Sequence, residues 1–162
     1  MSYRSAVTLL HGPMTQLAWV VDDIESAEHD IRPAGSSVRW TRLADIHFEP
    51  ETCGVRGVPA DFVIHVSLGY VGDLQLELIQ PVRGENIYTE HLAAHGPGLH
   101  HGCWEVDDLD AALGDRTPVQ HGSMAGGELR FAYLEHDVPG IPFLELVQVG
   151  PMMRAFFDDL PR

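Results

Sequence analysis

Lysine is absent from this sequence: all ten of its basic residues are arginine, against 24 acidic residues. Without a lysine amine, the protein has no group for the Schiff-base mechanisms that use one. The formal net charge of −14 disfavours nucleic acid and anionic membranes as partners, because both carry the same sign of charge. A strongly anionic ligand would have to be bound by a few local arginines.

Cysteine and long apolar runs are also scarce. Cys53 and Cys103 are the two cysteines, too few for a disulfide framework or a cysteine-based zinc site. No apolar run approaches the roughly 20 residues that a membrane helix needs. The N-terminal segment has no clear signal-peptide core or cleavage site. We therefore expect a cytoplasmic protein whose 162 residues, 44% of them hydrophobic, form one domain or one domain built from two small halves.

Two pairs of segments repeat in the same order along the chain. Residues 16–27, QLAWVVDDIESA, align with residues 101–112, HGCWEVDDLDAA, and share the Trp, one Val, both Asp and the final Ala. Residues 76–80, LELIQ, align with residues 144–148, LELVQ, at four of five positions. Two matches in one order indicate an internal duplication.

Each half has the same predicted order of elements: one strand, one helix and three further strands. An apolar strand leads into an Asp-Asp pair that can cap a helix. The predicted strands cover residues 14–21, 37–43, 61–70 and 74–80, and then 99–106, 118–123, 128–135 and 142–149. Helices are predicted near 22–31, 86–95, 107–114 and 151–160, and a long loop at 44–59. These elements predict a first βαβββ module at 1–85, a linker at 86–98, a second βαβββ module at 99–149 and a helical tail at 150–162.

Two glutamates occupy matching places in the repeated strands. Side chains alternate between the faces of a strand, so Glu77 lies opposite the packing leucines of its strand, and Glu145 lies between Phe143 and Val147. A carboxylate on a partly dry face needs a compensating charge, and no basic residue falls within these two predicted strands. A metal ion is the simplest counter-charge. The alternative is that each glutamate points to water.

The repeat identifies two further candidate ligands. Gln16 and His101 are aligned in the first strands of the two halves, and both residue types coordinate metals through an amide oxygen or an imidazole nitrogen. Taken singly, a buried glutamine bonded to the backbone and a core histidine would explain them. As a symmetric group of four with Glu77 and Glu145, they predict one metal site.

These features resemble the vicinal oxygen chelate superfamily, which includes glyoxalases, methylmalonyl-CoA epimerases and extradiol dioxygenases. The resemblance spans about residues 13–149. Its marks are the opening strand into Val-Asp-Asp, LELIQP at 76–81, GLHHG at 98–102 and IPFLELV at 141–147. It implies an α+β fold in which two tandem βαβββ modules form an eight-stranded open cup. One divalent ion (Zn, Ni, Co, Mn or Fe) would be bound there by Gln16, Glu77, His101 and Glu145.

The resemblance also implies a reaction class. The expected enzyme is a lyase, or an isomerase or epimerase, that removes an α-proton from a small carbonyl substrate and stabilises the enolate on the metal. Glu145 is the first candidate for the base, and Glu77 is a ligand and possible partner. Because the chain is acidic and lacks lysine, a small neutral or apolar carbonyl compound fits it better than a coenzyme A thioester.

The same resemblance suggests roles for three further residues. His65 and Tyr70, on the third predicted strand, are expected to line the cup and contact substrate. Glu51 begins a Glu-Thr-Cys-Gly-Val sequence similar to a catalytic loop of the epimerases. A solvated loop glutamate is the alternative, so the role of Glu51 stays open.

Two other functions compete with the enolising enzyme. An extradiol-type dioxygenase needs two histidines and one carboxylate around iron, and Gln16 stands where one histidine should be. A metal-free small-molecule binding protein of the same fold is the second alternative, in which Gln16 would be a decayed ligand. By resemblance, a homodimer is expected.

Overall fold

The computed structural model describes residues 12–31, 38–135 and 140–162, and within them the chain forms one mixed sheet with helices packed on it. The strands are β1 (Gln16–Val20), β2 (Thr41–Phe48), β3 (Cys53–Val55), β4 (Val58–Pro59), β5 (Phe62–Val71), β6 (Leu74–Arg83), β7 (Gly98–Glu105), β8 (Gln120–Met124), β9 (Leu129–Glu135) and β10 (Phe143–Val149). The helices are α1 (Ile24–Asp30), α2 (Ile87–His95), α3 (Leu109–Leu113) and α4 (Pro151–Asp158), with a short 3-10 turn at Ala125–Gly127. No helix among these residues is both long and apolar enough to cross a membrane.

The order of strands brings the two repeated segments together at the centre of the sheet. The order is β2-β5-β6-β1-β7-β10-β9-β8-β3-β4. Within each repeat the first strand pairs in parallel with the last, β1 with β6 and β7 with β10. The two repeats meet where β1 and β7 pair antiparallel. Four adjacent central strands therefore carry one predicted ligand each.

The predicted α+β class is confirmed, but the predicted count of eight strands is wrong. The eight predicted strands are present within a few residues, although residue 37 lies outside the described part of the chain. The sheet gains two short strands, β3 and β4, from the segment predicted as a loop. Arg56 and Gly57 both have positive φ, 49° and 80°, as a tight two-residue hairpin turn requires. This hairpin pairs with β8 and extends the edge of the sheet.

The glutamine that ends each repeated LELxQ segment explains part of the repetition. The Gln80 side-chain oxygen accepts a hydrogen bond from the Ile24 backbone N–H at 2.9 Å. The Gln148 side-chain oxygen accepts the equivalent bond from Leu109, also at 2.9 Å. Each glutamine thereby satisfies an otherwise unpaired N–H at the first turn of the helix in its own repeat. Asp23 caps α1 as predicted, accepting from the N–H groups of Glu25 and Ser26.

Helices α1 and α3 pack on one face of the sheet, and an apolar cluster that includes residues of α2 and contacts α4 lies on the other. On the helical face, α1 packs on Leu78, and α3 packs on Leu144 and Leu146. The other face, which we call the inner face, carries the largest buried cluster, and Phe156 and Phe157 of α4 pack against it. The predicted leucine faces of β6 and β10 are therefore the ones that hold the helices.

We expect Gly84→Ala to lower the free energy of unfolding by about 3 kcal/mol. Gly84 has φ +86°, and a Cβ there would lie 2.2 Å from the carbonyl oxygen of Asp61. Gly57 is the matched control, because it has φ +80° and nothing within 4 Å of its Cβ position. Gly57→Ala should cost only the backbone strain, about 1 kcal/mol. Urea denaturation measures both; equal losses would show that the Asp61 carbonyl is not the obstacle.

Candidate metal centre

The four predicted ligands come together on the inner face. Strand register places Ala18 of β1 beside both Glu77 of β6 and His101 of β7. Ala18 is fully buried, and its methyl group leaves room for the two larger side chains on either side. Glu145 of β10 lies opposite Cys103, two residues along β7 from His101.

Three side-chain oxygens surround one imidazole nitrogen. His101 Nε2 lies 3.1 Å from Glu145 Oε2, 3.4 Å from Glu77 Oε2 and 3.3 Å from Gln16 Oε1. The His101 side chain is fully buried, whereas 14% of the Glu77 side chain and 9% of the Glu145 side chain are exposed. The carboxylates therefore face a space that small molecules can reach, and the imidazole lies beneath them.

The donor types fit a divalent metal. Nitrogen and oxygen ligands lie about 2.0–2.2 Å from such ions, so neighbouring ligand atoms lie about 3 Å apart. Among the described residues, no group of three or more His, Cys, Asp and Glu side chains is placed to hold an ion as it stands. His101 Nε2 points at the carboxylates and forms hydrogen bonds with them. An ion would replace the hydrogen that now joins them.

Charge balance in this cluster favours a cation. Burial lowers the pKa of His101, but the charges of Glu145 and Glu77 and their hydrogen bonds outweigh it and raise the pKa to about 9. Burial raises the pKa of Glu77 despite its contact with His101. In the metal-free protein at neutral pH, the imidazolium therefore supplies the positive charge that the buried carboxylates need.

We expect binding of Zn²⁺ at pH 7.5 to release about one proton per ion, because a metal-bound imidazole must give up its Nε2 proton. A pH indicator in weak buffer measures the release. Stoichiometric binding with no release would contradict a site at His101. His101→Gln is the control, since it lacks that proton and should bind the ion weakly without releasing one.

The same shifts give the metal-free protein a pH dependence. In the folded protein, the pKa values of His101 and Glu77 both lie above their ordinary values. The stabilising contribution of His101 is therefore complete below its ordinary pKa of about 6.5 and is lost as the pH rises to about 9. The raised pKa of Glu77 also makes stability fall as pH rises, beginning in the lower pH range where a glutamate titrates. We expect the melting temperature of metal-free protein to fall between pH 6.5 and 9, and the fall to be smaller in His101→Gln.

Hydrogen bonds fix the direction of the Gln16 amide. Gln16 Nε2 donates to Gln75 Oε1 at 2.7 Å, and Gln75 Nε2 donates to the Tyr70 hydroxyl at 2.8 Å. The Gln16 oxygen is thereby turned toward His101. Tyr70 lines the cavity on the inner face, where the sequence placed it.

His65 does not line the cavity on the inner face. It was expected to line the cup, but its Nδ1 accepts a hydrogen bond from the Asp45 backbone N–H at 3.0 Å, and it is not part of the cavity lining. The physical reason is strand alternation: Ile64 and Val66 of β5 line the cavity, so the side chain between them faces the other way.

Glu51 also lies away from the four ligands. It is exposed and borders a separate groove between the β3–β4 hairpin and α3.

Three further histidine rings lie in a row beside His101. His100 is fully buried, and its Nδ1 lies 3.0 Å from His101 Nδ1. His101 therefore donates from Nδ1 when its Nε2 binds a cation, and His100 accepts. Outward from there, the His91 ring lies 5.2 Å from that of His100, and the His95 ring lies 5.2 Å from that of His91.

Two tyrosines in the site were missed from the sequence. The Tyr133 ring lies 5.0 Å from that of His101, and its hydroxyl accepts a hydrogen bond from the Tyr88 hydroxyl at 2.9 Å. Both tyrosines line the cavity. Tyr133 is the direct cross-strand neighbour of Glu145, a relation visible only once the pairing of β9 with β10 is known.

Three residues of the ligand cluster line a cavity on the inner face. The cavity has a volume of about 220 Å³, and Gln16, Glu77 and Glu145 are exposed in its wall. The rest of the wall is mainly apolar, from β2, β5, β9, β10 and α4. A small molecule in this space would meet the carboxylates of Glu77 and Glu145 and a largely apolar wall.

Comparison with known proteins identifies the family. The model of a family described as the glyoxalase/bleomycin resistance protein/dioxygenase superfamily matches residues 15–122. No curated protein matches the chain.

Solved structures show the same fold. Methylmalonyl-CoA epimerase from Mycobacterium tuberculosis is 20% identical with a TM-score of 0.58, over 91% of this chain and 93% of that one. A hypothetical protein from Bacillus halodurans is 16% identical with a TM-score of 0.58, over 84% and 93%. A variant methylmalonyl-CoA epimerase from Streptomyces coelicolor, in complex with 2-nitronate-propionyl-CoA, is 19% identical with a TM-score of 0.54, over 86% and 95%.

Proposed function

This chain belongs to the glyoxalase/bleomycin resistance protein/dioxygenase superfamily, and from that premise we propose that it is a metal-dependent enzyme. It would act as a lyase, or as an isomerase or epimerase, by removing an α-proton from a small carbonyl substrate. The observation that carries the proposal is the buried cluster in which oxygens of Gln16, Glu77 and Glu145 lie 3.1–3.4 Å from His101 Nε2 and line a largely apolar cavity.

The residues for the metal are the four predicted ones. Gln16, Glu77, His101 and Glu145 would hold one divalent ion, and a site of one nitrogen and three oxygens suits Zn²⁺, Ni²⁺, Co²⁺, Mn²⁺ or Fe²⁺. When bound, such an ion supplies a Lewis acid that stabilises negative charge on a substrate oxygen.

Proton removal is assigned to Glu145. Its carboxylate lies in mid-strand, is reached from the cavity and has a largely buried side chain. His101 Nε2 contacts Glu145 Oε2 at 3.1 Å and holds that carboxylate in place. The Tyr88 hydroxyl donates to the Tyr133 hydroxyl, which leaves the Tyr133 hydroxyl hydrogen available to an oxygen in the cavity.

Solvent exchange of an α-proton tests the proposal directly. A panel of uncharged α-hydroxy ketones would be incubated in D₂O with protein loaded with each of the five metals, and the α-proton signal followed by ¹H NMR. We expect protein-dependent loss of that signal, abolished by a chelator and restored by metal. No exchange with any of the five metals would overturn the proposal, and oxygen uptake would indicate a dioxygenase.

The apolar cavity gives a second candidate function, a non-catalytic binding protein. Its apolar walls and the hydrogen-bonded state of His101 would suit an uncharged ligand held without turnover. Tight binding of such a ligand to chelator-treated protein, with no exchange under any metal, supports this alternative. The homodimer stays a prediction from the resemblance, which light scattering on the purified protein tests.

A further inference from the structure

We propose that His91 and His95 form a second metal site, at the C-terminal end of helix α2, for a transition-metal ion such as Zn²⁺ or Cu²⁺. This site goes beyond the proposed function and does not depend on it. The ring of His100 lies 5.2 Å from those of both His91 and His101, so a buried histidine adjoins both places. The two sites share no ligand.

The spacing of the two histidines on the helix is the first argument. They are four residues apart in α2, which covers Ile87–His95, and side chains at i and i+4 lie on the same side of a helix. Their ring centres are 5.2 Å apart. Because zinc–nitrogen bonds measure about 2.0–2.1 Å, two imidazole rings on one tetrahedral ion have centres roughly 5 Å apart. The two rings are therefore already spaced for a shared ion.

An unpartnered nitrogen of His91 is the second argument. His91 is only 7% exposed, and its Nε2 is buried without a hydrogen-bond partner among the described residues. A buried polar atom in that state costs about 1–3 kcal/mol, so folded proteins contain few of them. Burial and the neighbouring His95 also hold the pKa of His91 below its usual range. At pH 7.5 the ring is therefore neutral and keeps a nitrogen lone pair for a metal ion.

Space beside this nitrogen is the third argument, and it depends on Gly98. Gly98 is the first residue of β7 and has no side chain. A Cβ placed there would have His91 Nε2 at 3.7 Å as its one neighbour within 4 Å among the described atoms. The missing side chain therefore leaves room next to Nε2, which a larger residue at this position would fill.

The electrostatic surroundings favour a cation. His95 is the last residue of α2, where the carbonyl groups of a helix give a negative partial charge. His95 is also exposed, so an ion can approach from solvent on its side of the pair. The net charge of −14 attracts cations to the protein as a whole.

The ligand types define the class of ion. Imidazole nitrogen suits Zn²⁺, Cu²⁺ and Ni²⁺, whereas Ca²⁺ and Mg²⁺ prefer oxygen ligands. Residues 91–95 read HLAAH, without the glutamate that accompanies such a histidine pair in zinc proteases. The site therefore suits an ion that stabilises the end of the helix. With two protein ligands it should bind more weakly than the four-residue centre, and gel filtration should remove its ion first.

Calorimetric titration with Zn²⁺ tests the inference in protein that carries Glu145→Ala, which impairs the four-residue centre. We expect about one ion per chain to bind this protein, and addition of His95→Gln to weaken that binding by about tenfold or more. Loss of a ligand should cost at least as much as loss of a group that orients one, which is about 10–100-fold. His121→Gln is the matched control, because His121 is an exposed histidine of β8. Equal Zn²⁺ affinity with His95→Gln and with His121→Gln would overturn the inference.

A variant that keeps both histidines tests the space beside Nε2. The φ of Gly98 lies outside the left-handed region, so a valine can adopt its backbone conformation. Gly98→Val should weaken Zn²⁺ binding as His95→Gln does, because its methyl groups would occupy the room next to His91 Nε2. Electron paramagnetic resonance of bound Cu²⁺ identifies the ligands: we expect coupling to two nitrogen nuclei, reduced by His95→Gln. Nitrogen coupling unchanged by His95→Gln would contradict the pair even if Gly98→Val destabilises the fold.

Single variants separate failure of this inference from failure of the proposed function. In otherwise wild-type protein, Zn²⁺ uptake that Glu145→Ala leaves intact and His95→Gln abolishes would support the histidine pair and reject the four-residue centre. Uptake that Glu145→Ala abolishes and His95→Gln leaves intact would overturn the pair and leave the centre in place. Two ions per chain, each removed by one of the substitutions, is the result expected if both sites exist.

Discussion

Replacing Glu145 with glutamine is expected to reduce α-proton exchange by about 1,000-fold or more, since loss of a positioned general base alone costs about 10²–10⁴. Glutamine keeps the size of the side chain and an oxygen that can accept from His101 Nε2, which lies 3.1 Å away. The fold should therefore persist while the proton acceptor is lost. Exchange rates by NMR on metal-loaded protein measure the effect, and full retention of turnover by Glu145→Gln would end the assignment of the base.

Metal content separates the two roles given to Glu145. Glu145→Ala removes a ligand as well as the base, so elemental analysis should find about one divalent ion per chain in the wild type and much less in this variant. Glu135→Gln is the matched control: Glu135 is exposed and lies 3.6 Å from Arg56, outside the cavity lining. It should retain both metal and exchange. No metal in the wild type after incubation with all five ions would leave the binding protein as the working function.

Ala18→Val is expected to weaken metal binding by about 100-fold, although Ala18 contacts no ion itself. Ala18 is fully buried between Glu77 and His101, and two extra methyl groups there would displace one or both. Loss of the groups that orient metal ligands typically costs about 10–100-fold in metal affinity, and displacement of a ligand itself should cost as much. Competition with a coloured chelator measures the affinity.

The control for this variant lies on the other face of the sheet. Ala132 is equally buried but packs in the apolar cluster with Leu144 and Leu146. Ala132→Val should lower stability by about 1–3 kcal/mol, as Ala18→Val should, without changing metal affinity. A similar loss of affinity in both variants would mean that general destabilisation, and not the space beside the ligands, controls the site.

The sequence predicted the fold well wherever periodic patterns repeat. Alternation identified the helix-packing faces of β6 and β10, and the aspartate pair identified the start of α1. The β3–β4 hairpin was missed because its strands have three and two residues, too short for a pattern to be recognised. Its turn depends on positive φ at Arg56, a residue type that carries no such signal.

The candidate site could be predicted only as far as the duplication reaches. Alignment of the repeats identified Gln16, Glu77, His101 and Glu145, and the structure brings them together. Tyr133 and Ala18 were missed because their roles depend on which strands are neighbours and in what register. His65 was misplaced for a related reason: the position of a strand's faces relative to the cavity cannot be fixed from that strand alone.

The antiparallel seam between β1 and β7 has a consequence for the ancestry of the chain. Each repeat supplies half of the proposed donors, so a single repeat could enclose an ion only by pairing with a second copy across the same seam. Carrying both repeats on one chain makes that encounter intramolecular and allows the two halves to differ. An amide now stands on one side and an imidazole on the other, so a bound molecule would meet chemically different groups on its two sides. A symmetric pair of ancestral chains could not make that distinction.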